Sequence, residues 1–339
     1  MRRYKRTLVA VALATTVVAG TAGWASGNAQ EAVTGPPPGS SAWRAEGLPD
    51  PAATTPEQVA YFFAGLSQDR RQDLARRHPL VVGNLDGAPV ELRYEANSRA
   101  AKAEGFDRLA KPGRQILAFD PRGRAQVAEV YGDLGKAEHV AVVVPGSDID
   151  ARTFDRTNDV YGTPAGMAKS LYDSTKSHRT AVIAWAGYTT PVGVGVDAAT
   201  GDLAEAGAER LARLTDGLDA TGAPDPAVFC HSYGSVVCGL AAPRLDAADV
   251  VALGSPGMRV ASVDDMRTDA RVWAAKDPSD WISKVPNVEF AGLGHGTDPT
   301  EPAFGARRVP ADDAEGHTGY FAPGTESLRT FAAITVGEL

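Results

Sequence analysis

The segment 228–242 leads from an apolar strand, through a serine among small and polar residues, into an apolar helix: Val-Phe-Cys-His-Ser-Tyr-Gly-Ser-Val-Val-Cys-Gly-Leu-Ala-Ala. A serine on a sharp strand-to-helix turn is typical of a nucleophile elbow, in which the hydroxyl stands clear of the backbone and nearby amides can stabilise an oxyanion. The usual pattern is Gly-x-Ser-x-Gly, and here Cys230 replaces the first glycine while Gly234 is kept. Ser232 is therefore the candidate nucleophile. The alternative is an ordinary turn at a strand end that carries no chemistry.

Short runs rich in Val and Ile surround this segment and alternate with stretches of helical spacing, which predicts a mostly parallel sheet with crossover helices. Before the elbow, Leu203, Leu211 and Leu218 recur at helical spacing and predict one such helix. The predicted strands cover residues 116–119, 125–131, 140–144, 181–185, 227–230, 250–253, 271–275 and 288–291. The prediction is an α/β domain over residues 111–339, with an eight-stranded sheet flanked by helices.

Three segments of different composition precede this domain. Residues 1–29 open with basic side chains before an uncharged run rich in Ala and Val, which predicts a secretory signal peptide, with a membrane anchor as the alternative. Residues 30–55 are rich in Pro, Gly, Ser and Ala and predict a flexible linker. Thr55 followed by Pro56 predicts a capped helix start, and 56–110 is predicted to be a helical extension.

The charge balance limits the partners of the protein. The formal net charge is −8, so neither nucleic-acid phosphates nor anionic lipids would meet a positive surface. We therefore expect no nucleic-acid partner and no stable membrane insertion once the signal peptide is removed. Gly193 and Gly195 lack the third glycine of a dinucleotide loop, and two cysteines without a histidine pair at ligand spacing do not form a metal site. The sequence predicts neither a cofactor nor a metal.

Both cysteines of the chain, Cys230 and Cys238, lie in the elbow. In an oxidising compartment they could form a disulfide between the end of the strand and the second turn of the helix. The alternative is a pair of small buried thiols, because free cysteine packs well in protein cores. The sequence leaves both possibilities open.

A serine nucleophile needs a base within hydrogen-bond reach and a carboxylate that orients this base. Downstream of Ser232 the chain has two histidines, His295 and His317. His317 follows the last predicted strand and precedes a terminal helix that begins near Ser327, which is where the base of a Ser-Asp-His chain order belongs. His317 is the predicted base. His295 could instead line the pocket or cap a turn.

Two carboxylates compete for the orienting position after the strand 271–275. Asp277 is nearer to the strand end, but it precedes a proline and resembles an ordinary turn-opening aspartate. Asp280 precedes the apolar pair Trp281 and Ile282, where a buried carboxylate could accept the imidazole N–H. Asp280 is the predicted acid, with Asp277 as the alternative.

An oxyanion hole requires two convergent donors. One is expected to be the backbone N–H of Tyr233, directly after the nucleophile, and the other the N–H of Ser147 in the loop after the strand 140–144. Gly146 would let this backbone come close. A Pro-Gly turn after a strand is also common for structural reasons alone.

Ordered motifs from about residue 78 to the C-terminus resemble a bacterial α/β-hydrolase family of largely unknown function, with secreted and cytosolic members. The resemblance implies the α/β-hydrolase fold and a serine nucleophile, here Ser232, and it adds to the choice of Asp280 and His317. It implies no particular substrate. The chain departs from the family at Cys230, where glycine is usual. The matching motifs are residues 78–79, 83–87, 143–146, 185–188, 231–235, 253–257, 280–282, 294–296, 298–299, 316–317 and 320–321.

These residues together predict an exported serine hydrolase in which Ser232, Asp280 and His317 form a triad and pass the acyl group through an acyl-enzyme. The expected substrate is an acyl ester, a small molecule or a lipid-like compound, by analogy with the many esterases of this fold. Two alternatives are acyl transfer to a cell-envelope alcohol and a non-catalytic binding module on the same scaffold.

Overall fold

An eight-stranded sheet runs through the protein, and helices pack on both of its faces. The structure, a computed structural model, describes residues 29–339, so the expected signal peptide lies outside the described residues except for its last position. The strands are β1 Ile116–Asp120, β2 Gln126–Tyr131, β3 His139–Val144, β4 Thr180–Ala186, β5 Ala227–His231, β6 Asp249–Leu253, β7 Arg271–Ala275 and β8 Arg307–Arg308.

The strands lie in the order β1-β2-β4-β3-β5-β6-β7-β8. β1 and β2 pair antiparallel, as do β2 and β4, and all pairs from β4 to β8 are parallel. The carboxyl ends of the parallel strands therefore meet at one edge of the sheet, which is where open α/β sheets bind ligands. β5 lies between β3 and β6, so the loops after these strands are neighbours. The predicted mostly parallel sheet is confirmed.

The helices of the described residues are α1 Ser40–Ala45, α2 Pro56–Ala64, α3 Gln68–Arg77, α4 Pro79–Gly83, α5 Val90–Ala103, α6 Pro164–Thr175, α7 Val196–Ala199, α8 Asp202–Ala220, α9 Gly234–Ala241 and α10 Glu326–Thr335. The crossover helix predicted before the elbow is α8. The predicted cap at Thr55 is a full capping box with Gln58. Among the helices of residues 29–339, none combines the length and apolar character that a bilayer span requires.

The sheet divides the core into two layers. Successive side chains of a strand point to opposite faces. In β3, Ala141 and Val143 pack in the layer that contains α6 and α10, whereas Val142 and Val144 pack in the layer that contains α8 and α9. Helices on both faces bury β3 to β6 almost completely, which explains why these strands are continuous apolar runs instead of alternating ones.

The segment 30–55, predicted as a flexible linker, is partly ordered structure. It contains α1, and Trp43 on this helix is fully buried in a cluster with the helical extension. The Trp43 ring meets Phe62 and His78 edge to face, and its Nε1–H donates to Pro49 O at 2.7 Å. The composition of the segment indicated a spacer, but one large aromatic residue supplies enough apolar area to fix the backbone around it.

The eighth predicted strand, 288–291, is wrong. This segment forms a small turn in which Phe290 and Leu293 exchange backbone hydrogen bonds, and its apolar side chains are exposed. The strand beside β7 is instead the two-residue β8, where Arg307 pairs with Trp273. Pro286 and Gly292 bracket the predicted strand and interrupt its pairing. Two exposed arginines carry no period that could have predicted β8.

Replacing Trp43 by alanine tests whether the segment before α2 belongs to the folded body. We expect Trp43→Ala to lower the free energy of unfolding by about 3–5 kcal/mol, because the change empties a fully buried aromatic site. Tyr61→Ala is the control: Tyr61 is 85% exposed on α2 and should cost less than about 0.5 kcal/mol. Urea unfolding measures both. Equal midpoints for the two variants would contradict the ordered packing of Trp43.

Candidate active site

β5 ends at His231, and the chain turns into α9 at Ser232, whose φ of 55° lies in the left-handed region. This conformation is costly for a residue with a side chain and is held by its surroundings. Ser232 N–H donates to Leu253 O at 2.9 Å on the neighbouring strand β6. A Cβ on Gly146 would lie 2.6 Å from Ser232 Cβ, and a Cβ on Gly234 would lie 2.6 Å from Val144 O. The turn therefore depends on glycine at both positions.

Ser232, His317 and Asp280 form one continuous chain of hydrogen bonds. Ser232 Oγ lies 2.9 Å from His317 Nε2, and His317 Nδ1 lies 2.8 Å and 3.0 Å from the two carboxylate oxygens of Asp280. The three residues come from the loops after β5, β7 and β8 at the carboxyl edge of the sheet. The structure thus brings together the three residues that the chain order singled out.

The carboxylate of Asp280 is fixed by three neighbours. Its Oδ1 also accepts the Ile282 N–H at 2.8 Å, which caps a short 3₁₀ turn, and its Oδ2 accepts the Tyr320 hydroxyl at 2.6 Å. Burial alone would raise the pKa of Asp280, but the hydrogen bonds from His317, Tyr320 and Ile282 outweigh it and lower that pKa. Asp280 is therefore ionised and held facing the imidazole.

Asp277, the alternative acid, makes no hydrogen bond to the His317 ring within residues 29–339, since His317 Nδ1 is bound by Asp280. Its Oδ1 accepts the N–H and the hydroxyl of Ser279, which makes it the opening residue of the turn, and accepts the Gly316 N–H at 3.4 Å. Its own N–H donates to the Tyr320 hydroxyl at 3.0 Å. Asp277 thus shapes the loops that carry Asp280 and His317.

The His317 imidazole packs against two rings. The centroid of the His231 ring lies 4.7 Å away and that of the nearer Trp281 ring 4.6 Å away, both tilted relative to the imidazole. His231 Nε2–H donates to His317 O at 2.7 Å, which fixes the backbone of the base. Burial, followed by the neighbouring His317, lowers the pKa of His231 to about 3. His231 is therefore a neutral hydrogen-bond donor at physiological pH.

His295, the alternative base, packs against the ring of Tyr233. Its ring meets the Tyr233 ring edge to face at 5.5 Å, and its Nε2–H donates to Ala198 O at 2.7 Å. Burial lowers the pKa of His295. This residue ties the loop before α8 to the elbow and does not reach Ser232 through any hydrogen bond of the described residues.

One predicted oxyanion donor is the amide that directly follows Ser232, and the other belongs to the loop that borders the Ser232 side chain. Among residues 29–339, neither the Tyr233 N–H nor the Ser147 N–H donates a hydrogen bond to another protein group. The loop of Ser147 is held by the Tyr188 hydroxyl, which donates to Pro145 O at 2.8 Å. Gly146 touches the Ser232 side chain, so this loop borders the nucleophile directly. Both amides remain available to an oxygen bound near Ser232.

Cys230 and Cys238 form a disulfide, and both side chains are fully buried. The bond joins the end of β5 to α9 across the turn that carries Ser232. Cys230 occupies the position of the first glycine of the motif. Its sulfur is bonded to Cys238 on α9. The pairing that the sequence left open is thus present in the structure.

Three residues that support the site were not predicted in this role: Tyr320, His231 and Gly254. Tyr320 and His231 adjoin the sequence motifs of His317 and Ser232, but nothing in their spacing shows which groups they bind. Gly254 has a φ of 54°, and a Cβ there would lie 2.9 Å from Asp280 Oδ2. The signal in the sequence that could have pointed to Gly254 is its position directly after the buried strand β6, where a glycine can allow close approach of another group. Within the described part of the chain, no cluster of three or more His, Cys, Asp or Glu side chains could hold a metal ion.

The family model described as Alpha/beta hydrolase matches residues 120–290, about half of the chain. The chain belongs to the alpha/beta hydrolase family. The match covers β2 to β7, including the turn at Ser232 and the position of Asp280, while His317 lies beyond it. The sheet order and the family match together establish the α/β-hydrolase fold.

Two curated relatives, both uncharacterized proteins of Mycobacterium tuberculosis from different strains, are 28% identical to the chain over 86% of its length. The chain spans 57% of the length of these relatives. Similar solved structures include a predicted CIB-like hydrolase from Thermoplasma acidophilum, with 15% identity, a TM-score of 0.36, and coverage of 66% of this chain and 96% of that one. An α/β serine hydrolase without a lid from Xanthomonas campestris shows 14% identity, a TM-score of 0.39, and coverage of 67% and 95%.

His231 makes stability dependent on pH. The unfolded chain protonates this residue near its ordinary pKa of 6.5, whereas the folded protein holds the pKa at about 3. Between these values the unfolded state binds more protons, so the free energy of unfolding falls as the pH is lowered, by up to about 1.4 kcal/mol per pH unit from this group.

His231→Gln retains an N–H that can reach His317 O but does not titrate. We expect this variant to lose less stability than the wild type between pH 6.5 and about 3, as measured by urea unfolding at several pH values. Parallel losses in the two proteins would show that His231 is not the group that resists protonation.

Proposed function

We propose that the protein is a serine hydrolase that cleaves an acyl ester through a catalytic triad of Ser232, His317 and Asp280. The observation that carries the proposal is the continuous hydrogen-bonded chain from Ser232 Oγ through both ring nitrogens of His317 to Asp280. The left-handed turn at Ser232 supports the same role, as do the amides of Tyr233 and Ser147, which donate to no other protein group within residues 29–339.

In the proposed reaction, Ser232 Oγ attacks the acyl carbon of the ester while its proton passes to His317 Nε2. Asp280 holds the Nδ1–H and stabilises the imidazolium that forms. The amides of Tyr233 and Ser147 would donate to the oxyanion of the tetrahedral intermediate. His317 then gives its proton to the leaving alcohol as the C–O bond breaks. Water repeats the sequence on the acyl-enzyme and releases the acid.

We also propose that the protein acts outside the cytoplasm. The support from the structure is the disulfide between Cys230 and Cys238, because such bonds form and persist in oxidising compartments. The predicted signal peptide is in accord with this location.

Labelling with a fluorophosphonate tests the nucleophile. We expect the wild type to form a covalent adduct that peptide mapping places on Ser232, because only an activated serine reacts with this probe at an appreciable rate. Ser232→Ala should fold and remain unlabelled. Ser262→Ala, which changes a serine on the loop after β6, is the control and should label like the wild type. A folded wild type that takes up no label would favour a binding module on the same scaffold.

Tyr320→Phe tests the support of the acid. The variant removes the hydroxyl that donates to Asp280 Oδ2 and accepts the Asp277 N–H. We expect kcat on a soluble ester to fall about tenfold, or ~1.4 kcal/mol of transition-state stabilisation, with little change in KM.

Tyr94→Phe is the matched control for this change, because the Tyr94 hydroxyl is buried and has no hydrogen-bond partner among the described residues. It should leave kcat unchanged. A rise in KM at unchanged kcat, or an equal loss of kcat in the two variants, would contradict the positioning role of Tyr320.

A further inference from the structure

Exposed apolar side chains are concentrated in two segments of the chain. Of the ten large apolar residues exposed in the described part of the chain, seven lie in the loop 191–196 after β4 or in the segment 281–293 after Asp280. We call these seven the apolar rim: Val192, Val194, Val196, Trp281, Val288, Phe290 and Leu293. Phe290 is 81% exposed and Val194 75% exposed. Grouped exposure of this kind marks a binding surface, whereas scattered exposed residues do not.

The first half of the apolar rim is fastened to the predicted oxyanion loop. Asp148 follows Ser147 directly, and its N–H donates to Pro191 O at 2.8 Å. Asp148 Oδ1 accepts the Gly193 N–H, also at 2.8 Å. Two hydrogen bonds thus hold the loop with Val192 and Val194 against the residues that border Ser232.

The second half of the apolar rim is fastened to the base. Trp281 follows Asp280 directly, packs on the His317 ring, and keeps 41% of its surface exposed. The turn with Phe290 and Leu293 continues from it.

The segments that carry the two halves are joined next to Val196 and Leu293, because Gly294 N–H donates to Ala199 O at 2.8 Å and His295 Nε2–H to Ala198 O. One half of the apolar rim is thus tied to the oxyanion loop, the other half begins beside the base, and the two segments are tied to each other.

Arg259, a cation that contacts the segment 281–293, is already paired within the protein. Its guanidinium is engaged by Gly292 O at 2.6 Å and by Glu289 at 3.7 Å. The chain as a whole is acidic, with a net charge of −8, which disfavours an anionic lipid surface as the partner. The open side chains of the apolar rim offer area to an apolar group and few hydrogen bonds to a polar one.

We propose that the apolar rim binds the acyl chain of the substrate, so that the site selects esters with long apolar acyl groups over short ones. This inference rests on the proposed function, since it places the acyl carbon at Ser232. A fully buried methylene would favour binding about fourfold, and a methylene that lies on an open surface about half as strongly in free energy, or about twofold. Four additional methylenes on the apolar rim then favour the longer ester by roughly fifteenfold.

A pair of p-nitrophenyl esters, the butyrate and the octanoate, measures this selectivity at concentrations where both are monomeric. We expect the wild type to hydrolyse the octanoate with a kcat/KM about fifteenfold higher than that of the butyrate. Val194→Ser with Phe290→Ser should reduce the preference to about twofold, because kcat/KM for the octanoate falls more than kcat/KM for the butyrate. Tyr61→Ser, which changes an equally exposed aromatic residue on α2, should retain the wild-type preference.

The outcomes separate the two proposals. If Ser232 takes up the fluorophosphonate and the butyrate is hydrolysed, but the double variant keeps the wild-type preference, the inference on the acyl chain is wrong and the hydrolase function stands. If neither ester is hydrolysed and Ser232 takes up no label, both proposals fail. If sedimentation shows a wild-type dimer that the double variant converts to a monomer, the apolar rim is an interface with a second copy and the inference is overturned.

Discussion

The left-handed turn at Ser232 is the constraint on which the rest of the site depends. A serine at a φ of 55° is unfavourable in isolation, so the surrounding fold must hold it. It does so with the hydrogen bond from Ser232 N–H to β6, with close approach of Gly146 and Gly234, and with the packing of α9 on β5. Each of these contacts requires the parallel order of β3, β5 and β6. The sheet therefore has two roles: it forms the core, and it positions the groups that hold the turn at Ser232.

Asp280 and His317 are each held by a hydrogen bond from a residue outside the Ser-His-Asp chain. Asp280 is held by Tyr320, and His317 is held through its carbonyl by His231. Burying a carboxylate costs free energy unless hydrogen bonds compensate it, and three donors do so here. The same bonds fix the orientation of the imidazole. Compensation of burial and positioning of the base are thus achieved by the same contacts.

Much of this architecture could be predicted from the sequence, because strands buried on both faces and a serine between small residues leave strong local signals. Seven strands, the crossover helix α8, and the residues Ser232, His317 and Asp280 followed from period, spacing and chain order. Asp280 was preferred to Asp277 because a proline follows Asp277 and an apolar pair follows Asp280, and the structure shows that the hydrogen bond to His317 comes from Asp280. β8 and the burial of Trp43 gave no pattern, because a two-residue strand has no period and a single aromatic residue does not alter the composition of a segment. The apolar run 288–291 had the composition of a strand but serves as an exposed turn.

The disulfide limits which parts of the active site can separate during local unfolding. Cys230 and Cys238 are eight positions apart in sequence, so the bond closes a small covalent ring that contains the nucleophile. Partial opening of a protein usually begins where few buried contacts hold a segment. Inside this ring the strand end and the helix stay joined, whereas Asp280 and His317 lie outside it. Opening of the loops that carry the acid and the base would therefore leave the serine on its turn, and closing of these loops would restore the hydrogen bond between Ser232 and His317.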